Sequence, residues 1–368
     1  MAEPLVAVLW LNYNSSRILD VVAESLDAIA SMDYGNYVLV AVDNASSDGS
    51  WEAVARRIEE HRRRGLRALT LRLPRNTGFT GGMNAAYRVA LRLRARYVAV
   101  LNNDTIPTPG SIRSLVEAME SHSCLGAVQG VLLNRDGTVQ TAGNFHSELL
   151  TAHMAFYGRS RGDVPARPYP VTYASGAYAL YRVDAVRAAR RDNRLYDDSV
   201  FAYFDDNALG LALWGAGYAS ALIPITAGMH LESATFRRQG ARRLYYTSRG
   251  HLLAAISAGT RYLAAVEAAY ARKAALLAAM EAAGRAERGS SAAVARALRD
   301  YRRMAGRLHA LPRIRRGYRR APLVAVKPQE ALAYAALGRP AMGALRRRLE
   351  AAIPALPGVD ELCTPRRG

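Results

Sequence analysis

Cysteine is almost missing from this chain: Cys124 and Cys363 are the only two in 368 residues, and they stand far apart. Their spacing suits neither a disulfide framework nor a zinc site, so reduced thiols and a cytoplasmic setting are expected. No uncharged apolar run reaches the roughly 18 residues that a bilayer-spanning helix needs. The amino terminus lacks a basic segment leading into a long apolar run and a small-residue cleavage site, so no secretory signal is expected. Glycine-rich signatures are missing too. There is neither the spacing of a dinucleotide fingerprint nor a phosphate loop ending in Lys-Ser/Thr, which disfavours a typical dehydrogenase or P-loop nucleotidase.

What is present begins with apolar residues. They make up 50% of the chain, enough to bury a substantial core, and no internal repeat interrupts them. Charge is distributed very unevenly. Residues 1–240 carry 25 Lys and Arg against 23 Asp and Glu, whereas residues 241–368 carry 25 against 8, so nearly all of the +19 net charge lies in the last third. Strand-like patterns give way there to Ala, Leu and Arg at helical spacing. Two regions are therefore expected: an α/β domain over 1–240 and a basic helical region over 241–368. Lys273 and Lys327 are the only lysines, a bias to which no functional weight attaches.

In the first region apolar runs alternate with helical patterns. Leu5–Leu11, Tyr37–Val42, Ala68–Leu71 and Tyr97–Leu101 read as strands, separated by helices over Ile18–Ala30, Trp51–Arg64 and about Gly82–Arg94. That alternation predicts a mostly parallel sheet with helices on both faces. Residues 127–133 and 172–181 are further strand candidates, with Gly137 in a hairpin turn, so the sheet is expected to be mixed.

Open sheets of this kind bind ligands at their carboxyl edge, and the strand ends here are polar. The first ends Asn12-Tyr13-Asn14, the second runs from Asp43-Asn44 to Asp48-Gly49-Ser50, and the third is followed by Asn76-Thr77-Gly78-Phe79-Thr80-Gly81-Gly82. The fourth ends Leu101-Asn102-Asn103-Asp104-Thr105. A carboxylate at Asp43 can accept from a base or ribose, and the Tyr13 ring can cover a base. Glycines at a helix start let backbone amides approach a ligand. Asp48, Gly49 and Ser50 fit a turn and cap for the next helix.

Taken in order, these segments, with Asn84 following Gly82, resemble the family 2 glycosyltransferases, most closely the rhamnosyltransferase-like and galactofuranosyltransferase-like branches. The resemblance extends to about residue 250. It implies the GT-A fold, a nucleotide-sugar donor (UDP-, dTDP- or GDP-linked), inversion at the anomeric carbon, and a glycan or lipid-linked acceptor. Carried over residue by residue, it puts Asp43 at the nucleobase or ribose, Asn12 and Asn76 beside the nucleotide, and Asn102-Asn103-Asp104 at the family's Asp-x-Asp position. Asn102 replaces the first acid, so Asp104 becomes the principal ligand of a divalent metal, Mg²⁺ or Mn²⁺. Phe201-Ala202-Tyr203-Phe204-Asp205-Asp206 resembles the aromatic-rich approach to the catalytic acids, with Asp206 as general base and Asp205 contacting the acceptor or orienting its neighbour. Gly228-Met229-His230-Leu231-Glu232-Ser233 puts His230 at a further metal-ligand position, and Tyr173-Ala174-Ser175-Gly176-Ala177 places Gly176 near the donor sugar and acceptor. The family's Asp and Arg that follow the acidic pair are replaced here by Ala208 and Ala212. His146, His153 and His251 belong to no motif and read as structural.

The basic region suggests a second contact. Arg249 to Ala283 place Leu252, Ile256, Leu263, Val266, Tyr270, Leu277 and Met280 at three- or four-residue intervals, predicting a helix with one apolar face. Arg313-Ile314-Arg315-Arg316-Gly317-Tyr318-Arg319-Arg320 and Arg346-Arg347-Arg348 would attract anionic headgroups, so peripheral contact with the inner face of the cell membrane is compatible with the sequence. Two other classes compete. A sugar-phosphate nucleotidyltransferase would need a glycine- and lysine-rich signature near the first strand, which Val6–Asn14 lacks. A nucleic-acid-binding protein would explain the basic tail but not the acidic strand ends.

Overall fold

β-Branched and aliphatic runs that can be buried on both faces form the centre of the sheet. The computed structural model describes residues 3–231, 240–338 and 342–364. Its first half alternates strand and helix: β1 (Val6–Asn12), α1 (Leu19–Ala30), β2 (Tyr37–Asp43), α2 (Ser50–Arg63), β3 (Ala68–Arg72), α3 (Gly78–Arg92) and β4 (Tyr97–Asn102). The expected strands thus lie within a residue or so of their observed bounds. Helix α3 starts a turn earlier than predicted, because Asn76 Oδ1 accepts the Gly78 N–H and satisfies one first-turn donor.

The chain continues through β5 (Thr105–Pro107), α4 (Ser111–Ser121), β6 (Leu125–Leu133), β7 (Val139–Thr141), β8 (Asn144–Ser147), β9 (Ala152–Met154), β10 (Tyr169–Val171), β11 (Tyr178–Arg182), α5 (Val183–Arg190), α6 (Asp205–Ala216) and β12 (Ala219–His230). The sheet order is β10-β12-β6-β11-β4-β1-β2-β3. β1 to β4 pair in parallel, while β11 runs antiparallel to β4 and β6. β12 lies parallel to β6, so the carboxyl ends of β1, β2, β4, β6 and β12 share one edge. β11 begins there, with Tyr178 opposite Leu101. β6 and β7 form the hairpin expected around Gly137, whose φ is +81°. One strand expectation needs correction. Residues 172–181 divide into the end of a connection and β11, because Ser175 and Gly176 donate backbone N–H groups to Gln129 and Asp206 side chains instead of to a neighbouring strand.

The basic region supplies α7 (Gly240–Ala258), α8 (Leu263–Ala282), α9 (Ser290–Ala305), α10 (Leu311–Tyr318), β13 (Leu323–Val324), α11 (Pro328–Leu337), α12 (Met342–Ala352) and α13 (Val359–Cys363). The single helix predicted over Arg249–Ala283 is two helices. Gly259 takes a left-handed φ of +69° and ends α7, and Thr260 starts the turn into α8. Much of the apolar stripe is internal: Leu252, Val266 and Tyr270 join Val294 and Tyr301 of α9 in one core with the sheet's residues. Each large apolar side chain buried this way contributes about 1.5–3 kcal/mol. β13 pairs in parallel with β8, completing a small β13-β8-β9 sheet. Helix α10 lies so close to α6 that a Cβ at Gly317 would meet the Leu211 carbonyl, and one at Gly215 the Arg313 carbonyl. Ala208 and Ala212 are both buried on α6 within this core.

The cysteines overturn the expectation of reduced thiols. Cys124 and Cys363 form a disulfide across 239 residues, beside an ion pair of His122 with Asp360 at 2.8 Å. Docking of Val359 into the core brings α13 back to the end of α4. The cysteine count therefore carries no argument for a reducing compartment. Among the described residues no helix is long and apolar enough to cross a membrane.

Candidate active site

The carboxyl edge is organised first by a polar network. Asn12, fully buried, donates through Nδ2 to Asp43 Oδ1, Ser46 Oγ and Ser50 Oγ at 3.1–3.2 Å and accepts from the Ser15 hydroxyl. The buried Asp43 carboxylate also takes the Ser46 hydroxyl and backbone N–H, with Arg72 Nε at 3.3 Å. Asn12 thus lies beneath the surface and shapes the turn, and Tyr13 above it is half-buried. Asp48 takes the Ser16 and Ser50 N–H groups while Gly49, with φ +79°, is the N-cap of α2; the turn is as expected, but the N-cap position itself supplies no side-chain acceptor. Asn44, for which no role was expected, links Asn76 to the start of α3 through Nδ2, while its Oδ1 accepts the Thr77 N–H. Gly78 is required for packing: its φ is +77° and a Cβ would strike the Phe201 carbonyl. A Cβ at Gly82 would meet the Leu11 side chain.

A second corner forms where β4 ends. Antiparallel pairing of β5 with β12 sets His230 opposite Thr105, and the Leu231 N–H donates to the Asp104 carbonyl. His230 Nε2 then lies 3.2 Å from Asp104 Oδ1. Gln140 Nε2 donates to the His230 carbonyl, which orients Gln140 Oε1 to accept from His230 Nδ1 at 2.7 Å. Nδ1 is thereby engaged, and Nε2 and the Asp104 carboxylate oxygen face each other as the two atoms that a shared cation would take. Such a backing partner for a histidine is the usual support of a metal ligand. The donor set therefore fits a hard divalent ion with two protein ligands. Among the described residues no group of three or more such side chains converges; Glu232 and Ser233 of the same motif lie outside them. Asn102 and Asn103, both half-buried, occupy the turn at this corner.

The acidic pair opens α6, after a strained approach. Phe201, Tyr203 and Phe204 all have φ between +62° and +77°, a conformation costly for bulky residues and typical of functional sites. Neighbouring elements hold it. Phe201 stacks on Tyr246 of α7, Arg249 donates to the Val200 carbonyl, and Thr80 N–H to the Phe201 carbonyl. Asn84 ties α3 to the preceding segment, taking the Leu195 and Tyr196 N–H groups and donating to Asp198. Asp206, half-buried, accepts from Gly176 N–H at 3.0 Å and Asn207 N–H at 2.8 Å. Burial raises its carboxyl above the usual range. Asp205 is more deeply buried, and burial together with the Asp206 charge pushes its carboxyl up to about 7. Gly176 thus holds an acid by its backbone.

A cavity of about 780 Å³ is lined by Asn102, His230, Gly176, Asp205 and Asp206 together with residues of the carboxyl-terminal helices; Asn12, Tyr13, Asp43 and Asn76 are not part of its wall. One cavity lined by Asn102 and His230 and by an acidic pair can hold an anionic leaving group beside a proton acceptor. Fold and cavity together describe an α/β protein whose polar groups gather at the carboxyl edge of its sheet. Residues 8–189 match glycosyl transferase family 2, and by that match the chain is a family 2 glycosyltransferase over its amino-terminal half. The acidic pair and His230 lie beyond the matched segment. No curated protein matches the chain in sequence.

Solved structures share the fold. The mannosyltransferase PcManGT from Pyrobaculum calidifontis, in complex with GDP-Man and Mn²⁺, has a TM-score of 0.50 at 19% identity, covering 85% of this chain and 86% of its own. GalNAc-T7 with UDP, GalNAc and Mn²⁺ also has a TM-score of 0.50, at 12% identity, covering 63% of this chain and 44% of its own. For S. aureus TarS the TM-score is 0.46 at 14% identity, covering 68% of this chain and 39% of that longer one. The architecture is that of the GT-A glycosyltransferases.

Proposed function

We propose that the protein transfers a sugar from a nucleoside-diphosphate donor to a hydroxyl of a glycan or lipid-linked acceptor, with inversion, using Asp206 as general base. The observation that carries this reading is the single cavity that has Asn102 and His230 at one end and Asp206 in its wall. The nucleotide occupies the edge above Asp43, with Tyr13 against the base, and the loops of Asn76, Gly78 and Gly82 shape the pocket around it. Asn102 and Asn103 line the diphosphate's path.

Asp104 and His230 would hold Mg²⁺ or Mn²⁺, which supplies neutralisation of charge on the departing diphosphate. Asp206, oriented by the Gly176 and Asn207 N–H groups, accepts the proton of the attacking hydroxyl as the new glycosidic bond forms and the anomeric bond to phosphate breaks. Asp205 shares the pair's charge and steadies Asp206. Closure of the cavity over both substrates keeps them in line and limits attack by water.

A panel of nucleotide-sugars with Mn²⁺ tests the reading. Expected are nucleoside diphosphate release that rises with a glycan acceptor, an inverted anomeric proton in the product, and loss of metal-dependent transfer in Asp104→Ala. Pyrophosphate-dependent turnover would instead identify a nucleotidyltransferase. The acceptor side fits a surface reading as well: Arg315, Arg316, Arg319 and Arg320 of the α10 segment are exposed, while Ile314 and Gly317 face inward. Such a basic face suits an acceptor presented on anionic lipid. Flotation with phosphatidylglycerol vesicles should be lost when these four arginines become glutamine; absence of flotation in the unaltered protein removes the membrane from the reading.

A further inference from the structure

The cavity does not stop at the acidic pair. Its far arm passes beneath α7, α8 and α11 and is bounded by His146, His251, Tyr270, Lys273 and Tyr334. Two groups there are poorly satisfied by the described residues. His146 is 1% exposed, and although the Leu150 and Thr151 backbone lies near its ring, neither ring nitrogen makes a well-formed hydrogen bond among the described residues. Its ring stacks on Tyr173 with centroids 4.9 Å apart, so its edge is what remains to offer. Burial first, then the neighbouring His251 and His153, hold the imidazole neutral, which leaves one N–H donor and one lone pair.

Lys273 is the second group. It projects from α8, half-buried, with its ammonium 5.5 Å from the centre of the Tyr270 ring, and it has no acidic partner among the described residues. His251 does not serve as one. It is engaged with the Tyr270 hydroxyl and the Leu149 carbonyl, and burial keeps it neutral. Burying an ammonium without a counter-charge is unfavourable, and burial lowers the proton affinity of Lys273 accordingly. An anion entering the arm would restore the lost interaction.

Position decides which substrate that anion belongs to. In an in-line displacement the acceptor approaches the anomeric carbon from the side opposite the leaving diphosphate. Contacts order the lining: Asp206 takes the Gly176 N–H and the neighbouring Ala177 carbonyl takes the Asn102 N–H on one side, while on the other Gly250 packs on Tyr203 and Phe204 and His251 meets Tyr270, the residue beside Lys273. We infer that the far arm is the acceptor subsite and selects an acceptor bearing a phosphate or carboxylate, with Lys273 binding the anion and His146 a hydroxyl of the neighbouring sugar. This assignment rests on the proposed glycosyl transfer for its geometry. The arm is built largely from residues beyond 189, so selection of the acceptor resides outside the matched family segment.

The scarcity of lysine makes a direct test available. Protein labelled with ¹³C at the lysine ε carbon gives two lysine side-chain signals, Lys273 and Lys327. Titration with glucose 1-phosphate, glucuronate and methyl glucoside should shift the Lys273 signal with the two charged sugars, leaving Lys327 as control. A response to the phosphate alone indicates a phosphate-linked acceptor, and a response to both an acidic glycan; either supports the subsite. Equal movement of both lysines, or an equal response of Lys273 to methyl glucoside, overturns it. Lys273→Gln should lower affinity for the charged sugar about 10- to 100-fold, as expected for a charge-assisted hydrogen bond, and Lys273→Arg should retain most of it. Nucleoside diphosphate binding with Mn²⁺, measured on the same samples, separates the two readings. Its failure with a responsive Lys273 removes the transferase reading, whereas normal nucleotide binding with a silent Lys273 removes the acceptor subsite.

Discussion

At the ends of β1 and β2 the Asp43 carboxylate is surrounded by donors from Asn12, Ser46 and Arg72, whereas at the start of α6 two carboxylates stand side by side with backbone donors as their main support. Both places are buried and polar. The first is a satisfied network, which costs little to bury and keeps a fixed shape. The second retains charge repulsion and strained backbone, and among the described residues the nearby His146 ring nitrogens lack a well-formed hydrogen bond and Lys273 lacks an acidic partner. Satisfied polar groups hold a fixed shape at the ends of β1 and β2, whereas the acidic pair keeps a charge contact that uptake of a proton relieves.

The contrast can be broken by substitution. Asp206→Asn keeps the side chain's shape and its acceptor for the Gly176 N–H, so the melting temperature and nucleotide binding should persist while turnover falls about a thousandfold. Retained turnover would remove Asp206 from the base role. Asn12→Ala should behave in the opposite way. It strips a buried carboxylate and two hydroxyls of a donor, and urea unfolding should show a loss of about 2–3 kcal/mol, with a smaller change in turnover per folded molecule than Asp206→Asn.

A pH series sharpens the difference further. The Asp205 carboxyl is raised from 3.8 to about 7 in the folded protein, so between those values the folded state binds more protons than the unfolded one. Stability should therefore fall as pH rises through that window and level off above it. Asp205→Asn should flatten the slope and raise the melting temperature at pH 8 by a few degrees. An unchanged slope would mean that the pair does not share its charge in this way.

The strand-end motifs were legible because the parallel sheet places sequence-local residues at one edge. Each of the first four strands stops at its polar turn, and β1, β2 and β4 end on the named Asn12, Asp43 and Asn102. Roles within those motifs were less legible. Gly78, expected to admit a ligand, makes room for Phe201, and Asn84 anchors the approach to the acids, because both contacts join segments more than a hundred residues apart. Gln140 left no signal, since its role depends on a hairpin folding back onto β12. His146 and His251 read as structural, and nothing in their spacing to Lys273 announces a shared wall.

Residue order alone determined the alternation of strand and helix, the polar edge, the glycosyltransferase resemblance and the basic bias of the last third, since each is written in local pattern or composition. Tertiary structure decided that Asp104 meets His230, that Cys124 meets Cys363, that the apolar stripe of α7 and α8 is largely internal, and that the acidic pair and Lys273 line one cavity. Those outcomes depend on distant segments meeting through β12 register and helix packing, and distance along the chain carries no information about such contacts until the core has chosen its partners.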